Sequence, residues 1–138
     1  MISHVNVGTN DIVAAQAFYH PLMMRLGWRQ RFFDAARFWA GWEPAGGGRP
    51  LFLLSRPFDG GPAVPGNGPM VALLAPDRAS VDDVHRMALA AGGTDEGGPG
   101  LRPHYHPNYY GAYFRDRDGN KICVCCHAAD LGQAPDEE

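Results

Sequence analysis

The feature that most limits the folds open to this chain is an internal repeat. A fixed shift of 66 residues lays His4 on Met70, Asp11 on Asp77, Ala15 on Val81, Phe18 on Val84, Leu22 on Ala88 and Gly27 on Gly93. One shift therefore serves a strand-like run, a helix start, an apolar helical stripe and a glycine terminator. A unit of this length, present only twice, is too long for a solenoid repeat and predicts two pseudo-symmetric modules within one domain.

In the first unit, Ile2 to Gly8 alternates, with Val5 and Val7 on one face and His4 and Asn6 on the other, as a half-buried strand does. Asn10 is placed to cap a helix through its side-chain oxygen, and Asp11 suits the first turn. Ile12, Ala15, Tyr19, Leu22 and Leu26 then recur three and four apart, up to Gly27. Pro21 removes the bond to the Ala17 carbonyl and clashes there, which predicts a kink or an interruption. Strands are predicted over 28–33, 37–42 and 51–56.

The second unit repeats the order. Pro69 to Ala75 reads as a strand, and Ser80 with Asp83 resembles a capping box. Val81, Val84, Ala88 and Ala91 line a helical face that ends at Gly92-Gly93. A loop is predicted over 97–108, stiffened by Pro103 and Pro107 around His104, Tyr105 and His106. Asp118-Gly119-Asn120 is a tight-turn signal between two apolar runs, so Tyr110 to Arg115 and Lys121 to His127 form a hairpin. Alternation puts Ile122, Val124 and Cys126 on one face of the last strand and Lys121, Cys123, Cys125 and His127 on the other.

These elements predict an α+β fold of two βαβββ modules forming a cup-shaped curved sheet. The domain spans 1–127, with module one at about 1–57, a glycine- and proline-rich linker over 58–68, module two over 69–127, and an acidic, fraying tail at 128–138. A formal charge of -3 without a basic stripe excludes the usual nucleic-acid footprint. The apolar runs fall short of the ~18 residues that cross a bilayer, and no signal-peptide pattern opens the chain, so a cytoplasmic address and no membrane are expected. All three cysteines fall between 123 and 126, which draws no disulfide framework. Cys123 and Cys125 read either as small buried hydrophobes or as groups lining a polar cavity, and His104 and His106 either as solvent-exposed loop residues or as site residues.

The paired modules, the opening His4, Phe18-Tyr19, Leu26-Gly27-Trp28, and the Asp116-x-Asp118-Gly119-Asn120-x-Ile122 hairpin resemble the vicinal oxygen chelate superfamily of glyoxalases, bleomycin resistance proteins and extradiol dioxygenases. The segment His106-Pro107-Asn108-Tyr109-Tyr110 before the hairpin is similar to that of small bacterial glyoxalase-like members. The resemblance implies a cup that holds a divalent metal by donors on the first and last strand of each module, a Lewis acid for adjacent substrate oxygens. Carried over position by position, it finds His4 first, then Met70, then Phe52 or Leu54, then Cys123 where relatives carry glutamate. One of four positions keeps its usual donor, so the glyoxalase I metal centre is not expected.

Three readings follow. In the first, a metal-free or weakly metal-binding cup binds a small organic molecule, with binding alone, as in bleomycin resistance proteins, or metal-independent chemistry. Its walls would come from Phe32, Phe38, Trp39, Trp42, Tyr105, Tyr109, Tyr110 and Tyr113, and its polar contacts from Asn6, His104, His106 and Cys125 together with His4 and Cys123. In the second, a lyase, isomerase or dioxygenase-type enzyme uses a rebuilt site of His4, Cys123 and a loop histidine, a donor set suited to Zn, with Ni, Fe or Mn as the other family metals. In the third, Cys123 or Cys125 does thiol chemistry, activated by His4, His127 or Lys121. His4 and Cys123 are thus the candidate catalytic pair. The resemblance also implies a symmetric homodimer, since a cup of curved strands leaves edges open.

Overall fold

The computed structural model describes residues 1–130, and the acidic segment 131–138 lies outside the described residues. Its elements run β1 (His4–Gly8), α1 (Ile12–Arg25), β2 (Arg29–Asp34), β3 (Trp39–Glu43), β4 (Leu51–Ser55), β5 (Val71–Leu74), α2 (Arg78–Ala90), β6 (Thr94–Leu101), β7 (Tyr110–Arg115) and β8 (Lys121–Cys126). Each half is a βαβββ unit. Its four strands make one sheet, in the order β1-β4-β3-β2 for the first and β5-β8-β7-β6 for the second. In both halves the first strand runs parallel to the last and the remaining pairs are antiparallel. The two-module expectation and the α+β class are what the chain adopts.

Register explains the two faces. Val5 pairs with Phe52, Val7 with Leu54, and Phe52 in turn with Trp42. Paired residues project to the same side of a sheet, and this side carries Val7, Ala40, Trp42, Phe52 and Leu54 into the core beneath α1. In module two, Leu73, Ala112, Phe114, Ile122, Val124 and Cys126 do the same beneath α2. One apolar cluster joins both halves, with the Phe18 ring 6.1 Å from Phe114. The opposite side of both sheets faces away from the helices.

The helix starts differ from the sequence reading in an instructive way. Asp11, not Asn10, caps α1, its Oδ1 accepting from the Ala14 amide at 3.0 Å. Asp77, not Ser80, caps α2, accepting from the Ser80 amide at 2.8 Å and from its hydroxyl at 2.6 Å. Asp83 turns to Arg25 on α1 at 2.8 Å instead of closing a capping box. Asn10 instead holds the linker, bonding both polar atoms of the Ala63 backbone. α1 also runs on through Pro21 without the expected interruption. The turns on either side bury Phe18, Tyr19, Leu22 and Met23, and such packing outweighs the lost backbone bond.

The predicted loop is shorter than 97–108, because 94–101 forms β6 against β7 through two register shifts. Its TDEGGPGL sequence has no apolar alternation to announce a strand.

The modules are fastened by the turn before β8. Asp116, buried, accepts a 2.5 Å bond from the hydroxyl of the buried Tyr19, and its Oδ1 accepts from the amides of Asp118 and Asn120. Asp118 accepts from Thr9 Oγ1 at 2.6 Å and from the Asn10 amide at 3.0 Å, and Asn120 donates to the Gly8 carbonyl at 2.9 Å. Burial raises the Asp116 carboxyl above its ordinary range, and the Asp116 carboxylate beside it, together with burial, raises the Tyr19 phenol.

Candidate functional site

The side of module two that faces away from the helices carries a connected polar cluster. Cys123, Cys125 and His127 share it by alternation along β8, and pairing adds Tyr113 opposite Cys123 and Gly111 opposite Cys125. Gly111 is needed there: a Cβ would lie 2.9 Å from the Tyr109 ring and 3.4 Å from Cys125 Cβ. Its absence lets Tyr109 fold over the strand. The Tyr109 hydroxyl then reaches the Tyr113 hydroxyl at 2.9 Å and Cys123 Sγ at 3.4 Å. Cys125 Sγ lies 3.7 Å from His127 Nε2, and His127 Nδ1 lies 2.8 Å from His106 Nε2. The Arg102 guanidinium and the Lys121 ammonium each stand 5.6 Å from the centroid of the Tyr113 ring.

The electrostatics follow from these contacts. A hydrogen bond from Cys125 is the largest influence on Cys123 and overcomes its burial, with the Tyr109 and Tyr113 hydroxyls and Arg102 adding to it. The Cys123 thiol is thereby lowered to about 7. Cys125, as the donor, is pushed the other way, well above an ordinary thiol, by that same bond and by burial. Burial raises Tyr109 and Tyr113, and the bond to Cys123 raises Tyr109 further. Around neutral pH the arrangement favours a Cys123 thiolate facing a neighbouring thiol and the Tyr109 hydroxyl. Cys126, adjacent in sequence, faces the core and bonds to the Ala128 carbonyl at 3.9 Å.

The other candidates disperse. His4 is exposed and bonds to Ser3 Oγ beside it at 3.0 Å, whereas Cys123 is fully buried, and no hydrogen bond joins the two among the described residues. Asn6 accepts from Ser55 Oγ at 2.9 Å and borders a cleft of about 220 Å³ between the modules, along with Met70, Asn120 and Lys121. Trp39 lies on the same side of module one, its ring 4.1 Å from that of Phe32, and is 38 % exposed. His104 is exposed against Tyr105, while His106 does join the cluster.

Tyr110 is on the helix side. It pairs with Cys126, donates to Asp82 at 2.6 Å, and takes the Arg78 guanidinium 5.3 Å from its ring centroid. Burial and Asp82 push its phenol up to about 12. Trp42, predicted for a ligand wall, is fully buried and donates its indole N–H to His20 Nδ1 at 3.1 Å.

Sequence reasoning offered His127 only as one possible activator of the thiols, beside His4 and Lys121, and did not single out Arg102. Alternation had already placed His127 on the Cys123 face. Arg102 gave no such signal, because its position depends on β6 being a strand.

Register also corrects one of the carried-over ligand positions. Cys123 pairs with Ala72, which the repeat shift lays on Asn6, and Asn6 pairs with Leu53. The module-one counterpart of Cys123 is therefore Leu53, not Phe52 or Leu54, and it too brings no donor. Among the described residues, no group of three or more His, Cys, Asp or Glu side chains is placed to hold a metal ion. An exposed imidazole, a thioether, an isobutyl group and a buried thiol do not fit the divalent ion that this fold implies.

Known proteins agree on the architecture. A glyoxalase/bleomycin resistance protein from Albidiferax ferrireducens T118 superposes with a TM-score of 0.81 at 35% identity, covering 91% of this chain and 98% of that one. A glyoxalase/bleomycin resistance protein/dioxygenase family enzyme from Burkholderia phytofirmans PsJN gives 0.66 at 22% identity, covering 91% and 98%. Lactoylglutathione lyase from Agrobacterium tumefaciens gives 0.62 at 22% identity, covering 91% and 92%, a likeness of fold alone. No curated protein matches the sequence. The sequence model of one family matches residues 1–124. With that match, the duplicated βαβββ unit and the Albidiferax relative, the chain belongs to the Glyoxalase/Bleomycin resistance protein/Dioxygenase superfamily.

Proposed function

We propose that this protein binds a small organic molecule on the helix-free side of its sheets, without the divalent metal of its catalytic relatives. The observation that carries this reading is the cluster of Tyr109, Tyr113 and Cys123, bonded at 2.9 and 3.4 Å on the side of the sheet where the usual metal donors are missing. Phe32 and Trp39 supply an aromatic surface on module one, and the cluster supplies hydroxyl and thiolate groups on module two. Aromatic faces with a few fixed polar groups suit a flat ligand carrying a hydrogen-bonding substituent.

The alternative, a metal site rebuilt from His4, Cys123 and a loop histidine, has less support: His104 is exposed, and His106 is engaged by His127 at 2.8 Å.

A single copy leaves this side open. The cleft that borders it measures about 220 Å³, and ligand pockets usually measure roughly 300–1,000 Å³. Leu74 at 63 % and Met70 at 44 % exposure stand on or beside it. A second copy in a symmetric homodimer would supply the missing wall.

The test is amide chemical-shift mapping of the full chain against a panel of small aromatic carbonyl and phenolic compounds. Shifts gathered on β3, β7 and β8, and lost in Trp39→Ala, are expected. Shifts confined to the helix side, or none across the panel, would overturn the reading.

A further inference from the structure

The two thiols of β8 have a geometry that organic-ligand binding does not use. Cys123 and Cys125 stand two residues apart on one strand, on the same side of the sheet. Both are buried, under Tyr109 and Tyr113. No third donor completes a set with them among the described residues: Cys126 faces the core, and no group of three His, Cys, Asp or Glu side chains is placed to hold an ion. That excludes ions that need four ligands, Zn²⁺ among them. It suits an ion that is content with two.

We propose that Cys123 and Cys125 form a two-coordinate thiolate site for a soft d¹⁰ cation, Cu(I) in the first instance. Thiolates select Cu(I) over harder ions. Each sulfur binds as its thiolate: the Cys125 S–H bond breaks, as does the Cys123 S–H bond in molecules where that thiol is still protonated, and two S–Cu bonds form while the protons leave to solvent. The copper remains Cu(I), and no electron is transferred. His127 Nε2, 3.7 Å from Cys125 Sγ, is placed to take the Cys125 proton and pass it to solvent, since His127 is exposed. The bound complex carries one net negative charge, and two cations, Arg102 and Lys121, each stand 5.6 Å from the ring centroid of the neighbouring Tyr113. Tyr109, on the half-buried end of the loop before β7, is the group that has to swing aside to admit the ion.

The site shares a face with the proposed organic ligand but does not depend on it. Trp39→Ala is expected to abolish ligand shifts while leaving the ion bound, so failure of one reading is distinguishable from failure of the other.

The experiment is anaerobic competition of the reduced, full-length protein for Cu(I) held by a coloured chelator. One ion per chain is expected to transfer to the wild type and to Cys126→Ser, and none to Cys123→Ser or Cys125→Ser. Excess Zn²⁺ should not displace it. Because a serine at a buried position can itself unfold the chain, a second readout uses the wild type alone: X-ray absorption of the Cu(I)-loaded protein should show two sulfur ligands and no nitrogen. No transfer to the wild type, transfer that survives loss of both Cys123 and Cys125, or a nitrogen or third sulfur ligand on the bound copper would overturn the proposal.

Discussion

Replacing Cys125 by alanine should raise the pKa of Cys123 and so lower its ionisation at neutral pH, and the size of the change can be worked from the contacts. Cys123 is fully buried, which by itself would raise its thiol, yet it ionises at about 7 because Cys125 donates to it first and the two tyrosine hydroxyls second. A hydrogen bond to a charged group contributes about 1.5–3 kcal/mol, and about 1.4 kcal/mol corresponds to one pKa unit. Loss of the Cys125 thiol should therefore move Cys123 up by roughly one to two units. At neutral pH the thiolate would fall from about half of the molecules to between about 1% and 10%.

The assay is ultraviolet thiolate absorbance against pH. It is better suited than alkylation rate, because a buried thiol reacts slowly whatever its charge and a lower pKa also weakens the nucleophile. The wild type should show one thiolate per chain appearing near neutrality, and Cys125→Ala should show that step displaced upward. An unmoved midpoint in Cys125→Ala would refute the idea that the second thiol holds the first as its anion.

Three further outcomes are expected. Tyr19→Phe removes a 2.5 Å bond to the buried Asp116 and should lower stability by about 1.5–3 kcal/mol in urea unfolding; a loss under about 0.5 kcal/mol, typical of inconsequential surface changes, would contradict the fastening role given to this bond. Mass measurement in solution should give twice the 15.0 kDa chain, and Trp39→Glu should shift it toward the single chain; a monomeric wild type would remove the second wall of the proposed binding site. Elemental analysis of protein purified without chelator should find Ni, Fe, Mn and Zn well below one per chain; a stoichiometric divalent ion would restore a metal-dependent reading.

The repeat was legible because it is written in side chains that fold locally. The shift that lays Asp11 on Asp77 pairs the two true helix caps, whereas Asn10 and Ser80, chosen by local preference, are not equivalent to one another. Alternation along β8 sorted Cys123 and Cys125 from Cys126 correctly, because a two-residue period is geometric and needs no partner. β6 was illegible for the opposite reason: its glycines acquire strand geometry only by pairing with β7. The polar cluster was half visible. Its members on β8 follow from period, but the fold of Tyr109 over Cys123 depends on a missing Cβ at Gly111 across the sheet. Pro21 shows local chemistry overruled, the helix persisting where burial of its neighbours is complete enough.

The bond between Tyr19 and Asp116 also bears on how such a doubled protein could have arisen. The repeat shift lays Tyr19 on His85, yet Tyr19 reaches across to the other half while His85 bonds to Asp95 within its own, at 3.0 Å. The ancestral equivalence has thus been spent on a one-way dependence: the N-terminal piece buries a phenol that only the C-terminal piece can satisfy. Severed in the segment 58–68, the pieces should regain structure by fragment complementation and not as a pair of self-sufficient ancestors.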